Sequence, residues 1–252
     1  MVNVAVRAHY ITIYNENCLD TMRLMDDDCV DLAITSPPYN MNLRIRDGKY
    51  CSRGHVEEFS TKYDGFSDDM PIDEYNKFHS EVLQELLRVS GLVFYNVAIV
   101  TGSKRSVFKM IGDFRDYLKD IIVWDKGYGQ PAMQVNVMNR RTELLLVFEK
   151  DYPISRQFRK SGKFDRGKLD DLWEIKRQRS SSKLNTAVFP EELVSTILTN
   201  FSAEGQVVYD PFIGTGTTAR VCRDMKRRCI GSEVSPELVK HMQKEFDNRE
   251  ST

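Results

Sequence analysis

The sequence lacks the features that define several large classes of proteins. It has no run of about 18 apolar residues, so no membrane-spanning helix is predicted. The segment Met1 to Tyr14 is too short and too polar for a signal peptide. We therefore expect an intracellular protein without a membrane partner, cytoplasmic or nucleoid-associated in a bacterium or phage, and nuclear in a eukaryote. The formal net charge is only -1, so overall charge does not indicate a polyanionic partner.

Cysteine is also scarce. The chain has five cysteines, an odd number, and none of them forms a C-x-x-C pair. This pattern argues against a disulfide framework and against a zinc ribbon. We expect reduced thiols and no bound metal.

Apolar runs alternating with helical patterns indicate an α/β fold. With 252 residues and 41% hydrophobic content, the chain is long enough for one large domain, predicted over 1-252. The predicted strands are Tyr10 to Tyr14, Val30 to Thr35, Leu92 to Val97, Ile121 to Trp124, Leu144 to Phe148, Val207 to Tyr209 and Cys229 to Ser232. The predicted helices are Ile72 to Leu86, Phe189 to Phe201, Ala219 to Met225 and one beginning at Ser235. Such alternation predicts a doubly wound, mainly parallel sheet.

Two segments depart from this alternation. Residues 41-70 are polar and glycine-containing, and they are predicted to form a long loop or insertion. Residues 150-185 contain eleven Lys or Arg residues against five Asp or Glu residues. This second segment therefore forms a local basic region, although a merely solvated charged loop has the same composition.

A glycine loop follows the strand that ends at Asp210. Gly214, Gly216 and Ala219 form a G-x-G-x-x-A pattern between a strand and a helix, where backbone N–H groups bind nucleotide-like ligands. Glu233 ends the next apolar run, at the spacing of a ribose-binding carboxylate. An ordinary tight turn remains the alternative. No Lys follows the second glycine, which argues against ATP or GTP hydrolysis. Only 19 residues follow Glu233, so most of the sheet is expected upstream of the glycine loop, in an order circularly shifted relative to the usual dinucleotide-binding fold.

A second motif, Ser36-Pro37-Pro38-Tyr39, follows the buried strand that ends at Thr35. Ligands bind beyond the carboxyl ends of strands in open α/β sheets. The Ser36 hydroxyl and the Pro37 carbonyl are predicted to accept both hydrogens of an exocyclic base amine, while Tyr39 stacks on the base. The alternative is a loop stiffened by two prolines in which Tyr39 only packs.

Together, S-P-P-Y and the later D-P-F-I-G-T-G-T-T resemble the DNA amino-methyltransferases of the class whose catalytic motif precedes the cofactor motif. The resemblance extends to E-L-L-R-V-S-G-L-V-F-Y-N, I-I-V-W-D-K, N-R-R-T-E-L-L-L-V-F-E-K and A-V-F-P-E-E-L-V. It implies a seven-stranded Rossmann-like sheet, S-adenosylmethionine (SAM) as cofactor, and double-stranded DNA whose target base is flipped out by the enzyme. The residues that it implies for catalysis are Ser36, Pro37, Pro38 and Tyr39. Those that it implies for cofactor binding are Asn17, Cys18, Phe189, Pro190, Asp210, Phe212, Gly214, Gly216, Thr217 and Glu233.

The resemblance also implies a choice of target base. No cysteine follows a proline, so the Pro-Cys nucleophile of C5-cytosine methyltransferases is absent. Serine at the first motif position favours N4 of cytosine over N6 of adenine, and an RNA or protein amide substrate is a further alternative. The basic region implies target recognition within 150-185, with DNA contacts from Arg156, Arg159, Lys160, Lys163 and Arg166. We also expect a role in restriction-modification, a homodimer as the oligomeric state, and loss of cofactor binding with an intact fold in Gly216→Val.

Overall fold

The computed structural model describes residues 4–41, 43–46, 49–52, 69–130, 135–178 and 189–247. Its strands are β1 (Val4–Ala8), β2 (Ile11–Tyr14), β3 (Leu32–Thr35), β4 (Leu43–Arg46), β5 (Lys49–Ser52), β6 (Leu92–Val97), β7 (Leu118–Gln130), β8 (Arg140–Glu149), β9 (Leu172–Glu174), β10 (Val207–Asp210) and β11 (Arg228–Ser232). Its helices are α1 (Cys18–Arg23), α2 (Ile72–Val89), α3 (Lys104–Asp113), α4 (Glu191–Phe201), α5 (Thr217–Asp224) and α6 (Pro236–Asp247). Every predicted strand and helix is present, and the largest differences are in β7 and β8, which extend well beyond the predicted runs Ile121 to Trp124 and Leu144 to Phe148.

The main sheet is covered by helices on both faces, as predicted. On β8, Leu145 and Val147 belong to one hydrophobic cluster and Leu146 and Phe148 to the other, because successive side chains point to opposite faces. The first cluster includes residues of α4, α5 and α6, and the second includes residues of α1, α2 and α3. The burial of both faces explains the uninterrupted apolar runs in the sequence.

The sheet order is β1-β2-β11-β10-β3-β6-β8-β7-β9. Pairing is parallel from β2 through β11, β10 and β3 to β6, whereas β8 is antiparallel to both β6 and β7. The sheet has nine strands rather than the expected seven, since short edge strands β1 and β9 are added at its two ends. β1 pairs with β2 through a tight turn in which Tyr10 has φ 70°. β9 has only three residues, which are too few for a recognisable apolar run in the sequence.

The predicted loop at 41-70 contains a two-stranded hairpin, β4 with β5. The rest of that loop lies largely outside the described residues. Within the part of the chain that the structure describes, no helix is both long enough and apolar enough to cross a membrane.

Candidate active site

The two sequence motifs lie at the same edge of the sheet, on neighbouring strands. β3 and β10 pair in parallel, so Ser36 after β3 and the glycine loop after β10 both leave the sheet at its carboxyl edge. β11 and then β2 continue the parallel series, which brings Glu233 and the segment around Asn17 to that edge as well. The fold thus lines up the residues predicted to bind the cofactor beside those predicted to hold the base.

The S-P-P-Y loop is held in place through its backbone. The Tyr75 hydroxyl donates to the Pro38 carbonyl at 2.7 Å, and the Ser103 hydroxyl donates to the Tyr39 carbonyl at 2.9 Å. Asn40 ends the loop with a left-handed backbone (φ 55°), and its side-chain amide donates to the Met70 carbonyl at 2.8 Å. The first two bonds use the carbonyls of Pro38 and Tyr39, whereas the predicted acceptor for the substrate amine is the carbonyl of Pro37.

A network of polar side chains lies behind the loop and was not predicted from the sequence. The Tyr39 hydroxyl is 2.8 Å from Ser36 Oγ and donates to Glu143 Oε2 at 2.9 Å. Asn96 Nδ2 donates to the same Glu143 oxygen at 2.8 Å and to the Tyr39 hydroxyl at 2.5 Å. Lys126 Nζ forms an ion pair with Glu143 Oε1 at 2.8 Å. The sequence signal for Glu143 is its acidic side chain at the start of an otherwise apolar strand, in R-R-T-E-L-L-L.

The glycine loop is organised by two carboxylates. Asp210 accepts from the Thr218 hydroxyl at 2.6 Å and from the Phe212 amide at 3.1 Å. Glu233 accepts from the Gly214 amide at 2.9 Å. Both predicted cofactor-binding acids therefore shape the loop.

Phe212 connects the glycine loop to the S-P-P-Y loop. Its ring centroid is 5.8 Å from that of Phe78, which stacks on Tyr75 at 6.1 Å. Tyr75 in turn holds the Pro38 carbonyl. A short chain of aromatic contacts thus joins the two predicted subsites.

Asn17 and Cys18 lie at the beginning of α1. The Asn17 side chain caps this helix by accepting from the Leu19 amide at 2.9 Å. Cys18 is buried, and burial raises the pKa of its thiol to about 12, so it is not an available nucleophile. Asn17, in contrast, is exposed at the carboxyl edge, where its side chain can also contact a ligand.

The remaining predicted cofactor residues lie where α4 and α5 begin. Pro190 directly precedes α4, and the Phe189 ring is 6.3 Å from that of Trp124. Thr217 is buried at the start of α5 and accepts from Arg220 Nη2 at 3.0 Å. Because Arg220 also reaches Glu191 at 3.3 Å, the beginnings of the two helices are tied together.

The five predicted DNA-binding residues lie far from this site. β8 runs antiparallel to β6, with Glu149 opposite Leu92, so the chain leaves β8 at the edge where the parallel strands begin. The backbone amide of Lys163 donates to the Asn200 carbonyl at 2.8 Å, at the end of α4 that precedes β10. Arg156, Arg159, Lys160, Lys163 and Arg166 are all exposed at that opposite edge. The structure does not bring them together with the S-P-P-Y loop.

The basic region does return to the site further along the chain. After β9, which is parallel to β7, the exposed Arg177 reaches to 3.9 Å from Glu143. Arg140 and Arg141 are exposed at the beginning of β8, where Arg141 pairs with Asp125 at 2.5 Å. Arg179 and Lys183 of the same region lie outside the described residues. Among the residues that are described, no group of three or more potential metal ligands is found.

Two buried side chains near the site, Asp210 and His79, have pKa values shifted in opposite directions. Their contributions to the free energy of unfolding therefore change with pH in opposite directions. Burial raises the pKa of Asp210 to about 7 from 3.8, and burial lowers the pKa of His79 to about 3 from 6.5. The stability that protonated Asp210 contributes to the fold is fully present below pH 3.8 and is lost as the pH rises to about 7. Neutral His79 acts oppositely, because its contribution is present above pH 6.5 and is lost as the pH falls towards about 3.

Replacing one of these two residues should leave a pH dependence of stability that is due to the other. Between pH 4.5 and 6.5, Asp210→Asn should gain stability with rising pH, and His79→Gln should lose it, each by roughly 1–3 kcal/mol, since one pKa unit corresponds to about 1.4 kcal/mol. Urea unfolding of both variants and the wild type at several pH values measures this. Parallel pH profiles in all three proteins would contradict the two shifts.

Comparisons with known proteins agree with this arrangement of motifs. A family model described as DNA methylase, N6_N4_Mtase, matches residues 30–244. The type II methyltransferase M.BglII of Bacillus subtilis is 25% identical over 268 residues, which cover 92% of this chain and 68% of that protein. The match therefore includes both motifs and the strands between them.

Solved structures show the same fold. The PvuII DNA methyltransferase (cytosine-N4-specific) superposes with a TM-score of 0.71 at 16% identity, over 95% of this chain and 87% of that one. M1.HpyAVI, in its complex with SAM, superposes with a TM-score of 0.62 at 18% identity, over 94% and 99% of the two chains. At these identities the likeness establishes the fold, and it confirms the predicted Rossmann-like class.

Proposed function

Because the chain belongs to the N6_N4_Mtase family of DNA methylases, we propose that it transfers a methyl group from SAM to an exocyclic amine of a DNA base, N4 of cytosine. The observation that carries the proposal is the pairing of β3 with β10, which puts Ser36–Tyr39 and Asp210–Gly216 side by side at one edge. A transfer between two bound molecules needs two adjacent subsites of this kind.

The residues present fit SAM by the chemistry of their side chains. Glu233 is half-buried beside the glycine loop, with lone pairs that can accept from ribose hydroxyls. Asn17 is exposed one strand further along the edge and offers an amide to the adenine ring. Phe212 and Asp210 then lie between this nucleoside end and the S-P-P-Y loop. When bound, SAM supplies an electrophilic methyl group on a sulfonium.

The chain's own residues position the acceptor amine. Ser36 Oγ and the Pro37 carbonyl accept its two hydrogens, which favours a pyramidal nitrogen with its lone pair directed at the methyl group. The half-buried Tyr39 ring provides a stacking surface for a base taken out of the duplex. Transfer would form an N–C bond and break the S–C bond of SAM, with a neutral thioether as the leaving group, and the amine would lose one proton.

Base choice is the finer part of the proposal. Serine at the first motif position and the fold shared with a cytosine-N4-specific enzyme support N4 of cytosine. N6 of adenine is the alternative, since the family includes both activities by name. The type II designation of M.BglII supports a role in restriction-modification.

DNA contacts near the base are proposed for residues at the carboxyl edge. Arg140, Arg177 and Lys176 are exposed there and can contact phosphates flanking the flipped nucleotide. The five arginines and lysines between Arg156 and Arg166 are proposed only for more distant phosphates, because they lie at the opposite edge.

Methyl transfer from labelled SAM to unmethylated genomic DNA, with nucleoside mass spectrometry of the digest, tests the proposal. N4-methylcytosine is the expected product. N6-methyladenine would retain the reaction and overturn the choice of base. SAM binding without a DNA product would move the substrate to RNA or to a protein amide.

A further inference from the structure

We propose that Glu143 is a positioning residue, which fixes the direction of the hydrogen bonds behind the S-P-P-Y loop so that Ser36 Oγ donates to Tyr39 and can only accept from the bound amine. This inference rests on the proposed amine methylation. Its basis is the buried network formed by Ser36, Tyr39, Asn96, Glu143 and Lys126.

The direction of each bond follows from counting hydrogens. Glu143, as a carboxylate, has no hydrogen to donate, so the 2.9 Å bond from Tyr39 must use the single phenol hydrogen. In the 2.8 Å bond between Ser36 and Tyr39 the serine hydroxyl must then be the donor. The hydrogen of Ser36 is then directed at Tyr39, and one lone pair of Oγ accepts from Asn96 Nδ2 at 3.4 Å. The second lone pair of Ser36 Oγ faces the bound amine.

Two cations lie beside the Glu143 carboxylate. Its side chain is 9% exposed, and Lys126, at 3% exposure, forms an ion pair with Oε1. Arg177 is the second cation facing it, at 3.9 Å, and Tyr39 is the remaining titratable neighbour in the network. A buried cation partner offsets part of the cost of burying a carboxylate.

The same network gives the amine proton a path. As the N–C bond forms, the N–H proton passes to Ser36 Oγ, the serine proton to the Tyr39 oxygen, and the phenol proton to Glu143. Every hydroxyl is regenerated, and one carboxylate becomes a carboxylic acid that later releases its proton to water. No oxidant, metal or further reactant is needed.

Glutamine at this position would break part of the network in either orientation of its amide. If the amide NH2 faces Lys126, two donors oppose each other. If it faces Tyr39 and Asn96, it donates to the phenol oxygen and frees the phenol hydrogen to point at Ser36. Ser36 can then direct its own hydrogen at the amine, which is the wrong polarity for an acceptor.

The test compares Glu143→Gln with Glu149→Gln. Glu149 is the matched control, since it lies at the other end of β8 and forms a buried ion pair with Lys119 at 2.5 Å. We expect Glu143→Gln to lower kcat for methylation about 100-fold or more, with KM for DNA and Kd for SAM nearly unchanged. Glu149→Gln should reduce thermal stability to a similar extent without lowering kcat.

Glu143→Asp is the conservative variant and should restore part of the lost kcat, because it keeps the carboxylate but shortens its reach to Tyr39. Equal kcat values in the two glutamine variants would overturn the inference. Circular dichroism shows whether Glu143→Gln folds, and Glu143→Asp serves as the test if it does not. A wild-type kcat in Glu143→Asp, with its contact to Tyr39 broken, would also overturn the inference. An inactive wild type would instead refute the proposed function, so the two failures are distinguishable.

Discussion

Tyr39→Ala should lower kcat for methyl transfer about 1,000-fold, because it removes both the stacking surface for the base and the hydroxyl that links Ser36 to Glu143. Kd for SAM should stay within about threefold, a difference below 1 kcal/mol. The Tyr39 hydroxyl is directed at the network formed with Glu143 and Asn96, away from the glycine loop. Single-turnover transfer and isothermal titration with SAM measure the two quantities separately.

Two further variants divide this effect into its parts. Tyr39→Phe keeps the ring and removes only the hydroxyl, so it should retain DNA affinity and lose kcat. Tyr117→Ala is the matched control, since Tyr117 is a 41% exposed tyrosine in the turn before β7, at the opposite edge of the sheet. If Tyr39→Ala weakened SAM binding as much as transfer, the assignment of Tyr39 to the base would be wrong.

The parts of the fold that the sequence predicts are those with strong local signals. Leu92–Val97 and Val207–Asp210 are buried on both faces and read as short apolar runs between helices. The 18 residues of α2 have one apolar face over several turns. The helices α1 and α3 were not predicted, because α1 has only six residues and α3 buries only three of its ten residues, which gives a narrow apolar face.

The site was predicted only where its residues are contiguous. Ser36–Tyr39 and Asp210–Gly216 each form one motif, and the structure places both at one edge. Glu143 and Asn96 are 47 positions apart and meet only because β8 pairs with β6. No local pattern specifies that pairing, so the network behind Tyr39 could not be derived from the sequence.

The position of the basic region in the fold could not be predicted for the same reason. Its charge was counted correctly, but its position depends on the direction of β8. Antiparallel pairing brings the chain after Glu149 to the edge opposite the S-P-P-Y loop. Apolar runs do not encode strand direction, so the sequence does not show that residues such as Arg159 lie at that opposite edge, and their DNA contacts stay a prediction.

Gly216→Val should destabilise the fold itself, contrary to the expectation that only cofactor binding would be lost. Gly216 has φ 83°, and a Cβ there would lie 3.0 Å from Met242 Sδ and 3.1 Å from Met242 Cγ. Left-handed backbone costs a side-chain-bearing residue roughly 1–2 kcal/mol, and overpacking adds about 1–3 kcal/mol. The glycine is therefore needed by the packing of α6 on the loop, whether or not a cofactor also approaches it.

Gly205 supplies the matched control for this last prediction. It has φ 81° and nothing within 4 Å of an added Cβ, so Gly205→Ala should cost only the backbone strain. Gly216→Ala should cost about 1–3 kcal/mol more in urea unfolding, and Met242→Ala should remove that excess when the two are combined. An equal loss of stability at the two glycines would mean that Met242 yields without cost. The requirement for glycine at 216 would then rest on its backbone conformation and on SAM, and Gly216→Ala should weaken SAM binding in a protein no less stable than Gly205→Ala.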